Sequence, residues 1–250
     1  MGDAVGAIPA LRRALAQGAE AKALARLAKD PQIVREMEGF AKAAAKATDV
    51  KAALRDPKIL NVLLPALGLP DAVGQPGLAL RALLDDPKKS DGLLARLPDG
   101  RWKAAAATLN LRERGIEALR DPKVQASLAE GLRRMAWRNE LDAGQPGTGD
   151  AMLFRERAAT AKTAYDVLGD PVLRRVLTTA LGLPQAIVVQ PVETQARALA
   201  SRLDLGKLQN PREVAKLAER YVVAAAGSGG GTGAAASPLL GLFPSGGLLA

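Results

Sequence analysis

The stretch DPKILNVLLPALGLPDAV, residues 56–73, specifies a helix together with both of its ends. The chain repeats it at residues 170–187 as DPVLRRVLTTALGLPQAI, and the two match at 10 of 18 positions without a gap. Each copy opens with Asp–Pro. The aspartate can accept from free N–H groups of a first helical turn, and proline suits the next position, where a missing N–H is no loss. Ile59, Val62, Leu63 and Leu67 recur at helical spacing and share one face. Gly68 can take the left-handed conformation that ends a helix, Leu69 can fold back on the last turn, and Pro70 prevents continuation. The second copy offers Asp170, Pro171, Leu173, Val176, Leu177, Leu181, Gly182, Leu183 and Pro184 in the same roles. Two copies at an offset of 114 residues predict two similar helical subdomains, from an internal duplication, in an all-α chain.

The start signal recurs as Asp30-Pro31, Asp86-Pro87, Asp121-Pro122 and Asn210-Pro211. Helices are expected near 8–17, 19–28, 31–53, 57–67, 76–84, 90–96, 99–108, 111–119, 122–142, 151–167, 171–181, 192–203 and 211–225. No stretch shows sustained strand alternation. AIVVQPVET at 186–194 is the one β-branched run, and Pro191 makes it a poor central strand. LDAGQPGTGD at 141–150 is a polar, Gly-rich break, expected to be a loop or hinge. The chain then divides into an N-terminal helical subdomain (1–145), a C-terminal one (146–223) and an uncharged tail (224–250). The tail's Gly-rich middle cannot bury enough surface to offset ordering and is expected to be flexible. Its apolar residues Leu239, Leu240, Leu242, Phe243, Leu248 and Leu249 are the expected partner-docking site.

Composition narrows the function. The chain has no Cys and no His. Disulfides, thiolate metal sites, Cys nucleophiles and His-based triads are therefore excluded, and no catalytic residue, cofactor or metal is expected. Aromatic residues make up only 3% of the chain, so the core must be built mainly from Leu, Ala, Val and Ile. The net charge is +9, but the excess is spread through every part of the chain and no four basic residues adjoin. That pattern fits solvated helix faces better than a nucleic-acid site, although a polyanion-binding module is the third functional alternative. No secretory signal and no apolar run long enough to span a bilayer stand out, so the chain is expected to be made and folded in the cytosol.

Other motifs read as structural. GSGGGTG at 227–233 lacks the lysine, strand and capped helix of a phosphate loop. Asp85, Asp86 and Asp91 lack the ligand spacing of a calcium loop and suit capping. Trp102 and Trp137 stand beside basic residues, where an indole could stack on a base, but an anchor at a helix junction is the commoner role. Tyr165 and Tyr221 fall on apolar faces and read as core or rim.

The segments DPQIVREMEGFAKAAAKATDVKAALRDPKILNVLLPALGL, RALLDDPKKSDGLLARLPDGRWKAAAATLNL and DVLGDPVLRRVLTTALGLP resemble a bacterial domain-of-unknown-function family, number 1217, over residues 22–223. Trp102 and Leu109 stand where that family usually has Tyr and Phe. The resemblance implies a multihelical fold. It also implies an association with flagellar gene clusters of alphaproteobacteria, and no catalytic residues. A non-enzymatic protein acting through protein–protein contacts in flagellar structure or assembly is therefore expected. The partners would be flagellar or export proteins, and the location implied is the flagellum, reached by signal-less export. A cytosolic chaperone or regulator of a flagellar export client is the alternative.

Overall fold

In the computed structural model, which describes residues 4–227, the regular elements are all α-helices and short 3₁₀ turns. The helices are α1 (Ala4–Ala14), α2 (Ala19–Leu27), α3 (Pro31–Lys46), α4 (Val50–Ala53), α5 (Pro57–Ala66), α6 (Pro76–Leu83), α7 (Leu93–Arg96) and α8 (Gly100–Leu109). They continue with α9 (Leu111–Arg114), α10 (Glu117–Arg120), α11 (Pro122–Gly144), α12 (Thr148–Arg157), α13 (Ala164–Gly169), α14 (Pro171–Ala180), α15 (Val192–Ala200) and α16 (Pro211–Gly227). Among the described residues, no helix is long and apolar enough to cross a membrane.

Four of the Asp–Pro pairs start helices. Asp30, Asp56, Asp121 and Asp170 each accept from backbone N–H groups of the turn that follows. Asp86 instead closes a turn, accepting from the Lys88 N–H at 2.9 Å, and the next helix waits until Leu93. The repeated stretches form α5 and α14, each 10 residues long. Both end in a left-handed glycine, with φ of 75° at Gly68 and 60° at Gly182. Gly68 donates to the Pro65 carbonyl at 2.9 Å and Leu69 to that of Leu64 at 2.8 Å. Gly182 donates to Thr179 at 3.0 Å and Leu183 to Thr178 at 2.8 Å. These nested bonds are the Schellman ending, and they satisfy carbonyls that the helix itself leaves open.

Three expected helices are divided. The 31–53 run splits because Asp49 caps a second helix, its Oδ1 accepting from Lys51 and Ala52 N–H at 2.8 and 2.9 Å. The 151–167 run breaks at a 3₁₀ turn, Ala158–Thr160, and restarts at a capping box between Thr163 and Asp166. The 111–119 run breaks at Gly115, where φ is 57°. In each case a local side-chain bond or a left-handed glycine offers the backbone an alternative to continuing the helix.

The stretch expected as a loop or hinge at 141–150 is mostly helical and tightly packed. Only residues 145–147 separate α11 from α12, and Thr148 and Asp150 are buried. A Cβ on Gly147 would lie 2.9 Å from the Ala225 Cβ, and one on Gly149 would lie 2.7 Å from the Arg138 carbonyl oxygen. The glycines here let helices approach; they do not loosen the chain.

The apolar residues form two clusters. One, built by α3 to α11, includes Phe40, Ile59, Leu63, Leu109, Leu119 and Leu132. The other, built by α12 to α16, includes Phe154, Val167, Leu177, Leu199 and Val222. Ala7, Leu11 and Ala14 of α1 and Leu27 of α2 also belong to this second cluster, although the expected division at residue 145 groups them with the first half. Helix α1 runs along α16, and Arg12 pairs with Glu219 at 2.9 Å. Helix α11 serves both clusters, giving Leu128 and Leu132 to the first and Trp137 to the second. Residues 224–227, expected as the start of the tail, are helical instead, because α16 runs to Gly227 and Ala226 is buried in the core. The remainder of the expected tail lies outside the described residues.

Candidate interaction surface

The expected docking residues Leu239, Leu240, Leu242, Phe243, Leu248 and Leu249 also lie outside the described residues. The other sequence candidates resolve into structure. Trp102 and Trp137 are buried, so their ring faces contact core side chains. Tyr221 is buried and Tyr165 is exposed. Asp85 accepts from the Leu94 N–H at 2.8 Å, Asp86 pairs with Arg112 at 2.7 Å and Asp91 with Lys89 at 3.5 Å. Among the described residues no group of acidic side chains is placed to hold a metal ion.

A polar cluster around the buried Asp150 and Tyr221 joins α12, α14 and α16. Asp150 receives both arms of Arg175, Nε at 2.5 Å and Nη2 at 2.6 Å, and the Tyr221 hydroxyl donates to it at 2.8 Å. Both carboxylate oxygens are thus occupied. Burial, with the neighbouring Asp150 charge, pushes the Tyr221 phenol above its ordinary range, so it stays a donor. Asp142 on α11 accepts from the Gly149 N–H at 2.8 Å. Burial, reinforced by repulsion from Asp150, raises the Asp142 carboxyl to about 6. This arrangement fixes the start of α12 against its neighbours by mutual satisfaction of charges.

A second network sits where the two repeats approach. Arg101 donates to the Gly68 carbonyl at 2.8 Å and pairs with Asp71 at 2.9 Å and Asp99 at 2.7 Å. Burial opposes its charge, but the bonds to Asp99 and Asp71 hold its pKa above the ordinary value. Arg157 lies over the same Gly68 turn and pairs with Asp170, the cap of α14, at 3.3 Å. The end of one repeat is thereby tied to the start of the other. Sequence reasoning missed these arginines because Gly68 and Asp71 lie 33 and 30 residues from Arg101, and Asp170 lies 13 from Arg157.

On the outside, one patch is unlike its surroundings. Residues 185–189 form a 3₁₀ turn with no buried member, Gln185–Val189. Val188 is 51% exposed, Val189 84% and Val192 43%. The ridge is firmly mounted: the Gln195 amide donates to the carbonyls of Val188 at 3.2 Å and Gln190 at 2.8 Å. Pro184 and Pro191 bracket it, which removes two backbone donors and keeps the run out of a longer helix. This is the β-branched run of the sequence, displayed as an exposed aliphatic ridge.

The fold and its surfaces define a class: an all-α, multihelical protein with two apolar clusters and a shared long helix. The chain belongs to the family described as Protein of unknown function (DUF1217), whose model matches residues 66–214. The fold is similar to that of a protein from Agrobacterium tumefaciens solved by X-ray crystallography in a structural genomics programme. The two share 23% identity with a TM-score of 0.69, over 90% of this chain and 95% of that one. No curated protein matches the sequence.

Proposed function

We propose that the protein acts by contact with other proteins, without turnover, in the structure or assembly of the bacterial flagellum. The observation that carries the contact reading is the exposed ridge of Val188, Val189 and Val192. Three branched aliphatic side chains exposed to water gain by being covered, at roughly 1.5 kcal/mol for the largely exposed Val189 and about half that for Val188 and Val192. The polar cluster at α12 supports the non-catalytic part, since Asp150, Arg175 and Tyr221 satisfy one another. The flagellar part rests on the family resemblance and its implied association with flagellar genes. In this reading the chain works at the flagellum.

The test is site-specific photocrosslinking from position 189 in motile cells, together with fractionation of purified flagella. The expected result is a crosslink to a flagellar protein and recovery of the chain with flagella. Both should be lost in the V188D/V189D variant, with melting unchanged. A crosslink to a soluble export client would move the assignment to a chaperone. Absence from flagella and no crosslink to any flagellar or export protein would overturn the proposal.

A further inference from the structure

A hollow of about 340 Å³ opens between α3, α4 and the start of α5. It exists because α3 stops at Lys46 and the chain reverses through Ala47 before Asp49 starts the next helix. The reversal brings the end of α3 beside the beginning of α5. Ala43, Ala47 and Ala52 line it together with Lys42, Lys46, Lys58 and the capping aspartate Asp56. All three lysines are exposed.

The anionic groups nearby are already engaged. The Asp56 carboxylate accepts from the Lys58 N–H at 2.8 Å, as the cap of α5. The Asp49 carboxylate caps α4. Glu38 lies 3.8 Å from Lys42, both of them exposed. The carbonyls at the end of α3, natural acceptors for a lysine in the last turn, are taken by Arg120. That guanidinium donates to Ala44, Ala45 and Ala47 at 3.1, 3.3 and 2.9 Å and pairs with Glu117 at 2.8 Å. Among the described residues Lys46 and Lys58 have no ion pair.

We propose that this hollow docks an acidic segment of a partner protein, one presenting carboxylates on either side of a small aliphatic side chain. Charge complementarity identifies the occupant: the unpaired ammonium groups of Lys46 and Lys58, with Lys42 beside them, stand next to the methyl groups of Ala43, Ala47 and Ala52. A polypeptide can supply both kinds of group in a few residues. Nucleic acid fits less well, because no aromatic side chain lines the hollow for a base to stack on, and its walls carry no arginine fork aimed at a phosphate. The inference rests on the contact-protein reading and adds the chemistry of one partner.

The test uses the full chain and a fluorescein-labelled peptide of alternating glutamate and alanine. Its glutamine counterpart and a single-stranded oligothymidylate serve as competitors. The K46E/K58E variant should bind the glutamate peptide about tenfold more weakly or worse. K22E/K103E changes the net charge equally away from the hollow and should bind as the parent does. Added salt should weaken the parent's binding. Should K46E/K58E melt early, the neutral K46Q/K58Q pair gives the same comparison. No binding by the parent, equal loss in both charge-reversal variants, or tighter oligothymidylate binding lost with Lys46 and Lys58 would each overturn the proposal. A chain absent from flagella that still binds the peptide through these lysines loses the flagellar assignment and keeps the hollow. A flagellar chain indifferent to them loses the hollow alone.

Discussion

Helices α5 and α14 share a cap, a length and a terminator, but they sit in opposite settings. Helix α5 lies between α3 and α11 and buries Ile59, Leu60, Val62, Leu63, Leu64 and Pro65. Helix α14 packs on α12, α13 and α16 and buries a single stripe, Val172, Leu173, Val176, Leu177 and Ala180. The difference lies in a few aligned positions. Leu60, Asn61 and Leu64 of the first stretch become Arg174, Arg175 and Thr178 in the second. The ends of a helix are thus written separately from its number of neighbours. Two helices with one set of end signals differ in burial because two leucines are present or absent on one face. The settings also differ end to end. The close of α5 is buried, with Leu69 fully covered, whereas Leu183 is only partly covered. The start of α14 is buried at Asp170, whereas Asp56 is half-buried.

The largest test of this contrast is at the glycines that permit those buried ends. A Cβ on Gly131 of α11 would lie 2.2 Å from the carbonyl oxygen of Ala66, at the close of α5. One on Gly169, just before α14, would lie 2.1 Å from the carbonyl oxygen of Pro98. Backbone cannot yield as a side-chain tip can, so G131A and G169A should each lose about 3 kcal/mol in urea unfolding. Losses under about 1 kcal/mol would show that these ends are loosely held.

The next effect separates the two caps. Asp170 is buried, accepts from the Val172 and Leu173 N–H groups and pairs with Arg157. Asp56 accepts from one N–H, that of Lys58. D170A should lose about 2 kcal/mol and D56A about 1, measured the same way. Equal losses would erase the difference between the two starts.

The smallest effect is at the terminators. G68A and G182A both force alanine to positive φ, worth about 1 kcal/mol each. At Gly182 a Cβ meets nothing within 4 Å, but at Gly68 it would lie 2.7 Å from Arg157 Nη2. Displacing that guanidinium disturbs its pair with Asp170. A thermodynamic cycle with D170A should therefore show coupling for G68A and simple additivity for G182A.

What the sequence revealed follows the range of the forces involved. Asp56, Pro57, Gly68 and Pro70 act on backbone a few residues away, so the all-α class and both repeated helices were legible. Asp49 was not read as a cap because Val50 follows it without the proline that marked the other starts. The glycines at 147 and 149 read as a loosened loop because glycine in sequence does not distinguish freedom from close approach. Their close contacts with Ala225 and Arg138 are visible only in three dimensions. The aliphatic ridge was visible as a β-branched run, but its exposure depends on how α14 and α15 pack. The basic hollow was illegible for the same reason: Lys42, Lys46 and Lys58 never form a run, and a chain reversal at Ala47 gathers them.

The pairing of α1 with α16 sets an order in time. Arg12 and Glu219 are 207 residues apart, yet the helices that carry them lie side by side. On a ribosome adding about 5–20 residues per second, α1 emerges roughly 10–40 s before its partner exists. Throughout that interval Ala7 and Leu11 have no α16 to cover them, so the second apolar cluster closes only when the last described helix arrives.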